Sequence, residues 1–366
     1  FHVPGATSDR IDRRVKKVSF LQNLPGSQRF YRYLLPFYPL AISRFDFSGY
    51  DLVVSLSHAA AKNIRVPKGV PHICYCFTPM RYIWDQAQSY FGRFTKLLWP
   101  LLKVLRRWDV SGSRGVSEFV AISRFVASRI RHFYGRSSTV IFPPVKTSWI
   151  TPACPGEKGE AFLYAGALVP YKRPELVVAA CNQLGLPLWI AGSGPMEDQL
   201  KEMAGETVHF FGRLNDEEFA QLFRRCRALL FPGKEDFGMI PIECLAAGRP
   251  VIGLYAGALR ESLSGVMHWI DKENKHIRDH ACTGVFVQPK TEGDELDALL
   301  ASIRFFLDHE DEFTVEHCTA RAQLFSPERF AQDWNVLLER VFPNGFAQSV
   351  NEERRRSDAQ AEAAAL

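Results

Sequence analysis

The chain has 366 residues, of which 46% are hydrophobic and 23% charged. At roughly 100–200 residues per domain, this length implies about two domains, with enough apolar sequence to bury a large core without disulfide or metal staples. A fibre, a disordered tail protein and a small secreted scaffold are excluded. The net charge of +5 is unevenly spread: residues 1–146 carry 23 Lys and Arg against 7 Asp and Glu, a net +16, and residues 147–366 carry 22 against 33, a net −11. Such asymmetry points to two domains with different partners, the basic one facing something anionic. No charge-free apolar run reaches the ~18 residues of a membrane span, and Phe1–Arg10 lack the pattern of a signal peptide.

In chain order, 51–57 (DLVVSLS), 71–77 (PHICYCF), 117–122 and 138–142 read as buried strands, with helices over 90–109 and 124–134 between them. Pro143-Pro144 reads as an interdomain linker. Beyond it, strands are expected over 160–166, 186–191, 208–211, 228–232, 250–254 and 284–287. Helices are expected over 173–184, 196–203, 215–226, 240–248 and 327–341. Strands alternating with helices imply parallel βαβ units in both halves. The expected class is therefore α/β: two Rossmann-like, doubly wound domains facing each other across a cleft, with a ligand at the carboxyl ends of the strands. The expected division is 1–145, 146–326, a helix over 327–345 that crosses back to the first domain, and a mobile tail over 346–366. Eight scattered cysteines fit a reducing cytoplasm. Cys74 and Cys76 share one face of a strand, which suits burial better than half of a zinc site.

The most informative segment is 228–248, ALLFPGKEDFGMIPIECLAAG. A buried strand ends at Pro232, a glycine-bearing loop follows, and a helix starts with Pro241 in its first turn, where a missing N–H costs little. Glu235 lies in the loop and Glu243 about one turn into the helix. The free N–H groups around Phe237–Ile240 form an anion site, helped by the helix dipole. One carboxylate there suits sugar hydroxyls and the other ribose hydroxyls. Two solvated cap glutamates are the bland alternative.

EDFGMIPIE (235–243) resembles the E-x7-E motif of the retaining nucleotide-sugar glycosyltransferases of family 4, which have the GT-B fold. The surroundings are similar too: AGALVPYKRPEL (165–176), AGSGP (191–195), FFGRLNDEE (210–218) and LAAGRPVIG (245–253). In the first half, SHAAAK (57–62), CYCFTPMRYIWD (74–85) and FPPV (142–145) look like the mannosyltransferase-like branch that builds O-antigen and exopolysaccharide chains. The resemblance covers residues 1 to about 342. It implies that 1–145 faces acceptor and membrane, and that 146–326 binds the nucleotide sugar. Glu235 then contacts the donor sugar and Glu243 holds the ribose. Phe237, Gly238 and Met239 supply backbone N–H groups to sugar and diphosphate, beside Gly166. Lys172 neutralises the diphosphate as a point charge. Arg173 is a weaker candidate, with a structural role equally open. Gly212, Arg213 and Leu214 sit where the base is held. No cofactor or metal is expected, since no D-x-D signature stands in a suitable place and the helix N-terminus with Lys172 can replace a cation. The implied chemistry retains the anomeric configuration, the leaving phosphate taking the acceptor proton.

There are three departures from that pattern. Ala167 stands where many members carry a phosphate-binding arginine, so more falls on Lys172. Phe77 replaces a histidine near the donor sugar and can neither hydrogen-bond a hydroxyl nor move a proton. His58 is the nearest retained alternative, with capping of the next helix as its other reading. The chain also opens in what looks like the stretch after the second strand, so about 35–45 residues with a Gly-rich loop are expected to be absent.

Phe91–Trp108 interleaves Arg93, Lys96, Lys103, Arg106 and Arg107 with leucines, Phe94, Trp99 and Trp108, and residues 12–40 add Arg13, Arg14, Lys16, Lys17, Arg29 and Arg32 beside many aromatics. This suits an anionic membrane surface, with snorkelling core helices as the plainer alternative. No nucleic-acid module is recognisable. The leading expectation is a cytoplasmic enzyme, peripheral on the inner face of the membrane, that moves a hexose (mannose from GDP-mannose first) to a lipid-linked or polysaccharide acceptor. The rival is a non-catalytic nucleotide-sugar-binding partner in a polysaccharide assembly complex, favoured by Phe77 and by the start expected to be absent, and opposed by the intact Glu235, Glu243 and Lys172.

Overall fold

The computed structural model describes residues 11, 13–14, 17–27, 31–267, 281–291 and 293–343. The tail expected over 346–366 lies outside these residues, as do Lys16 and Arg29. The chain divides into two compact units, one holding residues up to Ile141 and again from Trp334, the other Phe142–Asp333.

The first unit carries strands β1 (Val53–Ser57), β2 (His72–Cys76), β3 (Glu118–Ala121) and β4 (Thr139–Val140), paired in that order and parallel throughout. β2 is buried along its whole length, and Cys74 and Cys76 are free thiols within it. The helix read over 90–109 is broken. A short helix, Ala87–Phe91, stops at Gly92, whose φ of +50° lies in the left-handed region. A 3-10 turn over Gly92–Thr95 follows, and a new helix runs Trp99–Ser113 with Pro100 in its first turn. Glycine ends one helix and proline starts the next, for the usual backbone reasons. The Arg124–Tyr134 helix is bounded locally: Ser123 accepts from Val126 N–H, and Gly135 closes it in the left-handed conformation. The last helix, Pro327–Val341, runs across the division. Within the first unit its Trp334 ring meets Tyr75 edge-on at 5.6 Å, and Arg340 bonds Glu118 at 2.8 Å.

The second unit is a seven-stranded parallel sheet. Its strands are β5 (Ala161–Ala165), β6 (Leu188–Ala191), β7 (Val208–Gly212), β8 (Cys226–Phe231), β9 (Val251–Leu254), β10 (Gly265–Met267) and β11 (Gly284–Val287). The order is β10-β11-β9-β8-β5-β6-β7. Sequence reasoning finds six of the seven. β10 is only three residues long, too short to show a period. The helices Glu295–Asp308 and Val315–Gln323 are also additions. Both faces of the sheet are covered, as parallel sheets require. Phe162, Tyr164, Leu188, Ile190, Ala228, Leu230, Ile252 and Val285 form the middle of the core. Burying a large apolar side chain of this kind contributes about 1.5–3 kcal/mol.

Candidate active site

The loops that follow β5, β6, β7 and β8 lie at the carboxyl edge of the second sheet and are laced together by backbone. Gly166 N–H donates to Ala191 C=O at 2.9 Å, Leu168 N–H to Ser193 C=O at 3.1 Å, and Gly192 N–H to Gly212 C=O at 2.7 Å. Gly192 has φ +138°, and a Cβ there would collide with the Gly166 carbonyl, so this close approach needs glycine. Arg213 Nε donates to Ser193 Oγ at 2.9 Å, tying the turn after β7 to the turn after β6. Asn215 then caps the Asp216–Arg225 helix through a reciprocal capping box with Glu218.

The turn after β5 presents Lys172. Pro170–Lys172 form one 3-10 turn, and Arg173 closes it at φ 55°, ψ 42°. That left-handed geometry costs a non-glycine residue about 1–2 kcal/mol. The Arg173 guanidinium is engaged away from the turn, on Glu175 at 2.7 Å and Glu295 at 3.7 Å. Lys172 Nζ stands 3.1 Å from Glu235 Oε1, with each side chain about one-fifth exposed (20% and 19%). The approach is an ion pair without hydrogen-bond alignment, so the ammonium retains donors for a further anion. Gly166 faces the same place: a Cβ there would lie 3.6 Å from Lys172 Nζ and 3.9 Å from Ile240 Cδ1.

Glu235 is fixed from behind, because its carbonyl accepts from Ala258 N–H at 3.0 Å. Phe237 is buried and packs against Phe142 at 6.2 Å and Phe325 at 5.9 Å, so its ring anchors the loop and leaves its backbone for binding. Gly238 takes φ +81° as the N-cap of the Met239–Ala246 helix. No acidic residue sits in that helix's first turn, so its positive end is not neutralised from within. Met239 and Ile240 carry N–H groups that the helix cannot use, while Pro241 has none to waste. Glu243 lies one turn after Met239 on the same face. Burial pushes its carboxyl up to about 7, with the Asp216 carboxylate adding to the effect.

The structure thus brings Gly166, Lys172 and Glu235 together, continues into Phe237, Gly238, Met239 and Glu243, and joins Gly212 and Arg213 to the adjoining turn, with Leu214 next in the chain. It turns Arg173 elsewhere. His58 belongs to the first unit, just past β1, where desolvation lowers its pKa. Sequence reasoning missed Asp216 and Gly257-Ala258, the pair behind Glu235 where a Cβ on Gly257 would collide with the Glu235 carbonyl. The capping box of Asn215 and Glu218 was legible, but the nearness of Asp216 to Glu243 is a tertiary fact.

The raised Glu243 pKa has a consequence for stability. The folded chain keeps a proton that the unfolded chain releases above the ordinary 4.5, so stability falls between pH 4.5 and about 7 and is flat above. The loss is at most about 3 kcal/mol. Glu243→Gln should remove it. Urea unfolding at pH 5 and pH 8 should show the variant gaining over the parent mainly at pH 8. An equal gain at both values would refute the assignment.

Parallel sheets with loops at the carboxyl edge, and a cation paired with a carboxylate before an open helix N-terminus, define an α/β protein with an anion-receptive site. Comparison narrows the class. Residues 154–303 match the family Glycosyl transferases group 1, and residues 3–149 match Glycosyltransferase Family 4. The chain belongs to this glycosyltransferase family, and its fold is GT-B. It is 35% identical over 103 residues to the O-antigen chain mannosyltransferase C of Escherichia coli, covering 26% of this chain and 28% of that one. It is 28% identical over 135 residues to the D-rhamnosyltransferase WbpZ of Pseudomonas aeruginosa, covering 35% and 32%. The matched part therefore spans about a third of the length of these curated relatives. Among solved structures, the sucrose-phosphate synthase of Thermosynechococcus elongatus is similar with a TM-score of 0.62 at 18% identity, covering 90% of this chain and 80% of that one. HepE of Anabaena in complex with UDP gives 0.57 at 17% identity, covering 88% and 84%.

Proposed function

We propose that the chain is a retaining glycosyltransferase that moves a hexose from a nucleotide-diphosphate sugar to a lipid-linked or polysaccharide acceptor. Mannose from GDP-mannose is the first candidate. The observation that carries this reading is the Lys172–Glu235 pair, set beside Gly166 and directly ahead of the uncapped Met239–Ala246 helix. Breaking the C1–O bond of the donor leaves growing negative charge on the diphosphate. Lys172 and the N–H groups of Gly238, Met239 and Ile240 stabilise that charge, and the site does not have to reorganise to do so. No metal has a step in this reading. Glu235 holds the sugar hydroxyls, Glu243 the ribose and the 212–214 turn the base. The mannosyltransferase and rhamnosyltransferase relatives support the hexose, and the basic, apolar surface of the first unit supports work at an anionic membrane from the cytoplasmic side. Among the described residues, no helix is long and apolar enough to cross a membrane.

Calorimetric titration with GDP, UDP, GDP-mannose and UDP-glucose tests the reading. One nucleotide series should bind, and binding should vanish in Glu243→Ala. It should also weaken as the pH falls below 7, because a protonated Glu243 loses acceptor capacity for ribose hydroxyls. Absence of binding by all four would sink the proposal.

A further inference from the structure

Among the described residues, Arg173 and Ala281 are the two non-glycine residues with positive φ. Arg173 is strained twice. Its φ of 55° and ψ of 42° lie in the left-handed region that suits glycine. It also precedes Pro174, and a proline ring drives the residue before it towards extended backbone. Left to its own preference, Arg173 would extend and carry the Pro170–Lys172 turn with it. Its backbone keeps two hydrogen bonds, from its N–H to Pro170 C=O at 3.1 Å and from Leu176 N–H to its C=O at 3.2 Å. Glycine could make both without strain. An arginine in this conformation therefore points to a task for its side chain.

That side chain is clamped. Nε donates to Glu175 Oε1 at 2.7 Å, and Nη1 lies 3.7 Å from Glu295 Oε1. Glu295 is fixed in turn, because its Oε2 accepts from Gly293 N–H at 3.0 Å. Glu175 sits in the first turn of the Pro174–Leu184 helix, and Glu295 begins the Glu295–Asp308 helix beyond β11. The guanidinium thus ties the strained turn to two helices. It also keeps two neighbouring cations apart, Lys172 on Glu235 and Arg173 on Glu175 and Glu295. Lys172 is left as the cation beside Gly166.

We infer that Arg173 is a positioning residue: its latch on Glu175 and Glu295 holds the strained turn that aims Lys172 at a bound diphosphate. The inference rests on the reading of Lys172 as the cation for a nucleotide diphosphate. Calorimetric titration with GDP and UDP tests it in the parent, Arg173→Ala, Arg173→Gly, Lys172→Ala and the double variant Lys172→Ala with Arg173→Ala. Arg173→Ala should weaken the diphosphate that binds by roughly tenfold, the scale of one charged hydrogen bond. A thermal melt should show the fold intact, since the Arg173 side chain is 39% exposed. Arg173→Gly takes the left-handed state without strain and should recover most of the loss. On the Lys172→Ala background, Arg173→Ala should cost less than about twofold, because its effect runs through Lys172. The inference falls if Arg173→Gly binds as weakly as Arg173→Ala, since the turn's geometry then does not matter. It falls if Arg173→Ala costs as much without Lys172 as with it, since the guanidinium then meets the phosphates itself. It falls too if Arg173→Ala binds like the parent while Lys172→Ala binds weakly. A Lys172→Ala variant that binds like the parent overturns the reading of Lys172 itself, and the inference with it.

Discussion

Lys172→Ala is expected to slow sugar transfer by about 100- to 1,000-fold, the usual cost of removing one preorganised group that stabilises developing charge. In the proposed reaction that charge is the one on the departing diphosphate. Lys172 is held in place by the Pro170–Lys172 turn, by the strained backbone of Arg173, and by Gly233, where a Cβ would come within 3.1 Å of Lys172 Cα. The fold should survive, because the pair with Glu235 is only partly buried and contributes on the order of 0–1 kcal/mol. Lys172→Arg should recover little, since a planar fork does not fit a place shaped for a compact ammonium. Because Lys172 and Glu235 touch, their substitutions should not add. The double variant Lys172→Ala with Glu235→Ala should lose less than the product of the two single losses. Initial rates with the nucleotide sugar, read beside a thermal melt, decide the matter. A Lys172→Ala rate within threefold of the parent, at unchanged melting temperature, would show that the site draws its positive charge from elsewhere.

Most of this site was legible because its residues are packed into short runs. Glu235 to Glu243 lie within nine consecutive positions, and turn residues such as Gly238 and Pro241 mark where strand passes to helix. The strands other than β10 were legible for the same reason, as runs like AFLYA and ALLF are buried on both faces. What stayed hidden depends on distance in sequence. The Arg173 side chain was open between phosphate and structure, and only the fold shows Glu295 beside it, more than a hundred residues away. The break at Gly92 was hidden differently. The apolar spacing of 90–109 carries on through it, and a single glycine does not announce its left-handed φ. The relation between Asp216 and Glu243 needed two helices to be packed before it existed.

Asp109→Ala should destabilise the first unit by about 3–5 kcal/mol, the cost of leaving a buried charge without its partner. Lys62 is 1% exposed and Asp109 fully buried, 2.7 Å apart. The remaining valences are filled: the Asp109 carboxylate also accepts from Trp84 Nε1 at 2.8 Å and from Tyr134 OH at 2.9 Å, and Lys62 donates to the Asp109 carbonyl at 2.7 Å. Burial, together with the Asp109 charge, drives the Tyr134 phenol far above its ordinary pKa, so it stays a donor at every working pH. One carboxylate thereby pins four pieces of chain: the loop after β1 that begins at His58, the Trp84 segment, and the helices Trp99–Ser113 and Arg124–Tyr134. Tyr134→Phe removes a single donor and should cost only about 1 kcal/mol. Lys62→Met with Asp109→Leu removes both charges and should be far milder than Asp109→Ala alone, since nothing ionised stays buried. Urea unfolding of the three variants separates a charge effect from a volume effect. If the double variant is as unstable as Asp109→Ala, packing rather than charge pairing holds this region. If it is milder but transfer is still slow, the network's use lies in fixing the His58 loop, and the ion pair is retained for geometry more than for stability.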